Sequence, residues 1–296
     1  MIAALYRTPV ALLTLTAVMW AMNAIIGQLA RGEITPYALV LGRWAMVAVV
    51  MWALFGHEVR AAWPALRARF GWLVLAAICG FTGFNTLFYI ASTQTTGINI
   101  GIIQGSMPVF VLIGAFVAFG DRVGRGQLLG VAVTLVGVVL VAAGGSLERL
   151  LALAFNRGDI IMLGACLLYA GYAVALRNRP NAPGRALFTF FAVVSAISAI
   201  PLAAWEAAQP GYPWPTAKGW ALTAIVAIFP SCLAQLFFLR GVDLIGPGRA
   251  GVYINLVPVF AAILAILILG ERFYAYHAAA LVLVIGGIWL AQRQRG

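Results

Sequence analysis

The chain has 296 residues, of which 64% are apolar and only 9% charged. A soluble domain carries roughly 25% charged residues, so there is too little polar surface here to cover a globule in water. Disordered and disulfide-stapled classes fall with it, because the apolar fraction is high and only three cysteines are present.

Apolar runs broken by charge or by Pro and Gly predict ten membrane-spanning helices. They lie near 8–29, 36–55, 70–92, 97–119, 125–143, 158–177, 185–206, 217–240, 247–269 and 275–292. The first run extends from about Pro9 to Gly27, longer than a secretory h-region, and no small-x-small site follows it, so it is read as a helix. Most connections are short and force antiparallel neighbours. Three loops have more character: a basic one at 56–69, one at 144–157 expected to lie at the interface as a short amphipathic helix, and one at 207–219 rich in Pro and aromatics. Cys79, Cys166 and Cys232 fall inside apolar runs without metal-ligand spacing and read as small packing residues.

The net charge of +11 does not mark a nucleic-acid partner, since the basic residues are scattered singly or in pairs at the ends of apolar stretches. Their distribution reports orientation instead. With the N-terminus inside, the inner segments hold 13 of the 19 Lys and Arg and the outer segments five, with Arg43 inside a span. Both termini are therefore expected in the cytoplasm.

The chain also repeats itself. Met107–Leu140 and Val257–Leu290 align at an offset of 150, pairing Pro108/Pro258, Phe110/Phe260, Gly120/Gly270, Asp121/Glu271, Arg122/Arg272 and Gly137/Gly287. Asn85/Gln235 and Phe88/Phe238 match at the same offset, and Trp20/Tyr169 at 149. Each half then holds five helices: residues 1–143, a connecting loop at 144–157 and residues 158–296. Five is odd, so the second half enters the membrane inverted. Inverted repeats are a recurring plan of secondary transporters, whose halves rock about a midplane site. The expected fold is an all-α polytopic membrane protein of two inverted five-helix repeats.

The two repeats, the P-V-F…G-[DE]-R stretch in helices 4 and 9, and the Arg after P-Y-A-L-V-L-G in helix 2 resemble the drug/metabolite transporter superfamily. The ten-helix bacterial EamA-type branch is the most similar, in general look its exporters of aromatic amino acids. The resemblance implies helices 1–4 and 6–9 around a central cavity, helices 5 and 10 peripheral, a bacterial inner-membrane location, and export. One departure is the helix-2 Arg, whose repeat position is Ala192.

Polar side chains within a span usually face a cavity or another helix. Trp20 and Asn23 share one face of helix 1, and Phe81, Asn85 and Tyr89 one face of helix 3. Gln104, Tyr169, Tyr172, Gln235, Phe238, Tyr253 and Asn255 complete a candidate lining of amides, hydroxyls and rings. This chemistry suits a zwitterion with an apolar side chain, though the same residues also serve as helix glue or an interfacial belt. Pro108 and Pro258, preceded by Gly101, Gly105 and Gly251, mark candidate hinges or close helix packing. Arg43 either meets a substrate carboxylate or serves the fold by capping carbonyls or snorkelling outward.

All eight acids fall at helix ends or in loops. Proton-driven carriers commonly keep an ionisable residue within a span, so facilitated, uniport-like movement down the substrate gradient is expected. No phosphate loop, metal-ligand cluster or catalytic constellation is present, so no enzyme, cofactor or metal is expected. The chain reads as a secondary transporter of small aromatic or hydrophobic amino acids that works as a monomer among membrane lipids. The alternative is a broad, proton-coupled exporter of drugs or metabolites, and an integral-membrane lipid enzyme is a third class.

Overall fold

The computed structural model describes residues 8–120, 124–152 and 155–293. Within them the chain is all-α, with ten long helices. We number these α1 (Pro9–Leu29), α2 (Pro36–Arg67), α3 (Phe70–Ser92), α4 (Gly97–Phe119), α5 (Arg125–Ala142), α6 (Arg157–Asn178), α7 (Gly184–Ala207), α8 (Ala217–Ile245), α9 (Arg249–Leu269) and α10 (Ala275–Arg293). The first nine are long and apolar enough to cross a membrane, and α10 carries a 17-residue apolar stretch, Ala275–Ala291. Local chemistry starts them: Pro9 and Pro36 open α1 and α2, where a missing N–H costs nothing, and the side chains of Thr96, Asn156 and Thr216 cap α4, α6 and α8.

The repeat is visible in the backbone. Gly120 and Gly270 end α4 and α9 with the same left-handed geometry, φ 66° and ψ 23°, a conformation that glycine adopts without strain. The adjoining Asp121 and Arg122 lie outside the described residues. Helices α3 and α8 each contain a π-helical segment at equivalent places, Ile78–Gly83 and Ala227–Leu233. Helix α1 packs on α8 and α9, α6 on α3 and α4, and α4 on α9. Helices α5 and α10 pack chiefly on each other, to one side of the rest. Their axes come close because a Cβ on Gly130 would collide with the Gly287 carbonyl, and one on Gly287 with Thr134.

Two boundaries depart from the sequence reading. Residues 56–67, expected as a basic loop, continue α2 as a helix. Their charges and Pro64 look like loop, but Val59 and Leu66 are buried with Leu187 and Phe190 of α7, and Arg185 pairs with Glu58 at 3.0 Å. The segment is an amphipathic extension packed on a neighbour. In the 144–157 loop Leu147–Leu151 is helical, and Arg157 already opens α6.

The end of the bundle opposite the α6–α7 connection, the outer end in the expected orientation, is tied across the two halves. Glu33, between α1 and α2, accepts hydrogen bonds from Thr216 (2.6 Å) and Lys218 (2.9 Å) at the start of α8, and its backbone carbonyl accepts from the Thr216 N–H at 2.9 Å. Thr35 donates to Glu206 at the end of α7 (2.5 Å), and Glu271 accepts from the Gly97 and Ile98 N–H groups (2.6 and 2.9 Å), a carboxylate on the positive end of α4.

Replacing Gly287 with Val should force α5 and α10 apart at a cost of about 1–3 kcal/mol, read as a lower thermal midpoint in detergent. An unchanged midpoint would show that the pair yields freely. The Thr216 hydroxyl and the Lys218 ammonium hold the Glu33 carboxyl below its usual 4.5. A group with a lowered folded pKa stabilises above its unfolded value and loses that contribution as pH falls. Hydrogen exchange of residues 208–216, corrected for intrinsic rates, should therefore quicken below pH 4.5 and quicken at neutral pH in Glu33→Gln.

Candidate substrate cavity

A cavity of about 600 Å³ lies between the two halves. Its lining reaches Leu176, Arg179 and Gly184 at the α6–α7 connection and Ala291 near the end of α10, all at the inner end of the bundle. No residue of the outer connections lines it. The outer half is closed instead by close approaches at glycines. A Cβ on Gly27 would stand 2.5 Å from the Ser92 hydroxyl, one on Gly42 2.9 Å from the Trp220 ring, and one on Gly101 2.5 Å from Ala261. Gly251, the repeat counterpart of Gly101, has nothing within 4 Å of that position. The cavity opens at the end of the bundle that carries the α6–α7 connection and the end of α10, the inner end in the expected orientation.

At the closed end of the cavity sits Arg43, only 6% exposed. Its guanidinium is gripped by three helices besides its own. Nε donates to Ser231 Oγ of α8 at 2.8 Å, and Nη1 donates to Asn85 Oδ1 (2.6 Å) and Tyr89 Oη (2.8 Å) of α3, with Asn23 Oδ1 of α1 at 3.2 Å. Nη1 has two protons, which the two shorter bonds use; the Tyr89 hydroxyl then donates to Asn23 Oδ1 at 2.7 Å. The acceptors are themselves held. Asn85 Nδ2 donates to the Phe81 carbonyl and Ser231 Oγ to the Val226 carbonyl, both at 2.7 Å. These carbonyls lie in or beside the two π-helical segments, where widened turns offer backbone oxygens to side chains. Gly80 and Gly83 weaken α3 there, and Pro230 lacks the N–H that α8 would need.

The acceptors of Arg43 are side chains rather than backbone carbonyls. Among the described residues no carboxylate pairs with it, Nη2 makes no hydrogen bond, and no acid lines the cavity. The second cation in the lining is Arg179, exposed at the inner mouth.

Rings form the walls. Phe81 is the centre of one wall, with ring centroids 5.1 Å from Trp44, 5.1 Å from Tyr172 and 5.5 Å from Phe191. Gly80 makes room, since a Cβ there would run into the Tyr172 ring. Trp20 and Phe238 form the facing wall, 5.2 Å apart. Gln104 and Gln235 add amides.

Of the predicted site residues, the structure brings together Trp20, Asn23, Arg43, Phe81, Asn85, Gln104, Tyr169, Tyr172, Gln235 and Phe238, with Gly105, Pro108 and Gly251. Five others stand elsewhere. Tyr89 lies behind Arg43 and borders a smaller outer pocket of about 190 Å³ with Gly27, Leu39 and Trp214. Tyr253 and Asn255 are outside the lining because Tyr253–Leu256 is a 3₁₀ segment, whose three residues per turn rotate them away while Ile254 and Val257 face in. Gly101 and Pro258 are packed on each other's helices rather than facing the cavity. Sequence reasoning missed Trp44, Phe188, Phe191 and Arg179. The phenylalanines sit in the run LFTFF of α7, which reads as ordinary apolar span, and only the neighbour of a buried Arg would have pointed to Trp44.

The acids stand apart from the cavity. Asp159, in the first turn of α6, is fully buried. It accepts from Thr95 Oγ1 (2.5 Å) and Asn99 Nδ2 (3.1 Å), tying the α3–α4 connection to α6.

Comparison with known proteins accords with this architecture. The model of the EamA-like transporter family matches residues 7–143 and again 156–292. The chain is similar to the uncharacterized transporter YyaM of Bacillus subtilis (strain 168), 28% identical with 88% of this chain and 85% of that one covered. It is also similar to the uncharacterized transporter YetK of the same organism, 25% identical over 90% and 82%. One solved crystal structure has the same fold, with a TM-score of 0.65 at 18% identity, covering 96% of this chain and 98% of its own. A polytopic helical chain of two matching halves around a polar, ring-lined cavity thus belongs to the EamA-like transporter family, as two copies of its domain in tandem.

Proposed function

We propose that this transporter carries small amphipathic carboxylates, in the first place aromatic and hydrophobic amino acids, outward by alternating access and without a coupled proton. One observation carries the reading: a buried guanidinium keeps its Nη2 group without a hydrogen bond among the described residues, in a cavity walled by aromatic rings and lined by none of the described acids. The free Nη2 of Arg43 can give a carboxylate a charge-assisted hydrogen bond, and ring faces accept both an apolar side chain and an ammonium. A cavity of about 600 Å³ has room for a tryptophan-sized solute. The absence of any lining acid weighs against cationic drugs as substrates and against a proton carrier in the cavity. Loading from the inner side suits export.

The pair Gly101 and Gly251 supports the alternation. Val111 is the repeat counterpart of Ala261 and lines the cavity, so the opposite state would bring Gly251 against Val111 as Gly101 now meets Ala261. The helix breaks at Ser106 and at Tyr253–Leu256, just before Pro108 and Pro258, are the proposed hinges.

Purified protein in liposomes loaded with labelled phenylalanine, at equal pH and zero potential, should release it, and unlabelled tryptophan should compete. Gln235→Leu should slow release several-fold and Arg43→Gln should reduce it at least tenfold with the fold intact by circular dichroism. Release that strictly needs a pH gradient would overturn the coupling. Gly251→Leu should leave thermal stability unchanged yet slow the cycle, whereas Gly101→Leu should open the outer end to an impermeant thiol reagent at a cysteine replacing Ala30. Equal effects of the two changes would discard the alternation.

A further inference from the structure

Arg43 has a consequence for how the carrier returns empty. Arg43 lines a cavity continuous with the mouth at the α6–α7 connection, and its Nη2 group, with no protein partner, is left for water. Closing that mouth expels the water. The charge is then left with amides, hydroxyls and rings, because the groups to which Arg43 donates, on Ser231, Asn85, Tyr89 and Asn23, are all neutral. An unpaired charge in a dry, low-dielectric site is strongly unfavourable. The buried Asp159 does not relieve it, being held by Thr95 and Asn99, and the half-buried Glu58 and Glu206 are engaged by Arg185 and Thr35. Losing the charge is no escape either, because an arginine stays protonated.

A bound carboxylate changes this balance. It replaces the water at Nη2 and supplies the missing countercharge, and its attraction to the guanidinium strengthens as the site dries. A ligand shifts a conformational equilibrium only through its different affinity for the two states, and here that difference is built into one unpaired cation. The exposed Arg179 at the mouth adds a field that draws anions in.

We infer that the protein is an exchanger: its cavity closes and reorients readily with a carboxylate on Arg43 and slowly without one, so outward passage of one carboxylate is coupled to inward passage of another. This rests on the carboxylate-anchor reading above and adds that the anion is required for both legs of the cycle. The ligand class follows from the cavity: one carboxylate on an apolar or aromatic body, with the amino group dispensable.

Counterflow tests it. Liposomes holding unlabelled phenylalanine, 3-phenylpropionate or phenethylamine, or buffer alone, are placed in labelled phenylalanine with potential clamped at zero. Internal phenylalanine and 3-phenylpropionate should speed initial uptake at least tenfold over buffer, and phenethylamine, which lacks the carboxylate, should not. Measurable uptake without that stimulation would overturn the exchange and leave the transporter reading standing. Stimulation by phenethylamine equal to that by phenylalanine would remove the carboxylate as the cause. No uptake under any condition would defeat both. Arg43→Lys keeps the charge and should keep the ratio of exchange to net flux, while the residual flux of Arg43→Gln should show a ratio near one; a tenfold ratio in Arg43→Gln would also overturn the inference.

Discussion

A single guanidinium organises this membrane protein. A charge buried among apolar helices must be paired or fully hydrogen-bonded, and Arg43 is met by Asn23, Asn85, Tyr89 and Ser231 from three helices besides its own. Each of those partners needs its helix at a particular height and rotation. The π-helical segments of α3 and α8 supply that rotation, and the carbonyls they offer hold Asn85 and Ser231 in turn. Polarity thus fixes where α1, α2, α3 and α8 stand, while apolar packing alone would allow them to slide.

The same cluster divides the molecule. On its inner side lies the large cavity, and on its outer side, beyond Tyr89, the small outer pocket. Above it, helices approach at Gly27, Gly42 and Gly101 and are strapped by Glu33, Thr35 and Glu271 to the opposite half. Below it, Gly251 faces open space. Two halves of similar sequence are therefore in dissimilar conditions, which is what an inverted repeat caught at one end of its cycle must display.

The symmetry is broken chemically as well. Arg43 has Ala192 at its repeat position, fully buried in α7 beside Phe188 and Phe191. One half supplies the charge, and the other half supplies Tyr169 and Tyr172 of α6, the α7 phenylalanines, and Ser231, Gln235 and Phe238 of α8. Architecture comes from duplication, and recognition comes from the positions where the copies have diverged.

Much of this was legible in the sequence, because a bilayer imposes rules that act residue by residue. Ten apolar stretches, their caps and the pairing of Gly120 with Gly270 follow from helix length, turn chemistry and repetition, none of which needs a neighbour. The candidate lining was also largely legible, since amides and rings within spans stand out against aliphatic background. What only the tertiary structure decided depends on partners distant in sequence. The helical state of 56–67 is set by α7, and the exclusion of Tyr253 and Asn255 by a 3₁₀ segment that shifts their phase. The role of Arg43 is decided the same way: its partners lie 20 to 188 residues away, and only their convergence shows that every one is neutral and that the Nη2 group is left for something else.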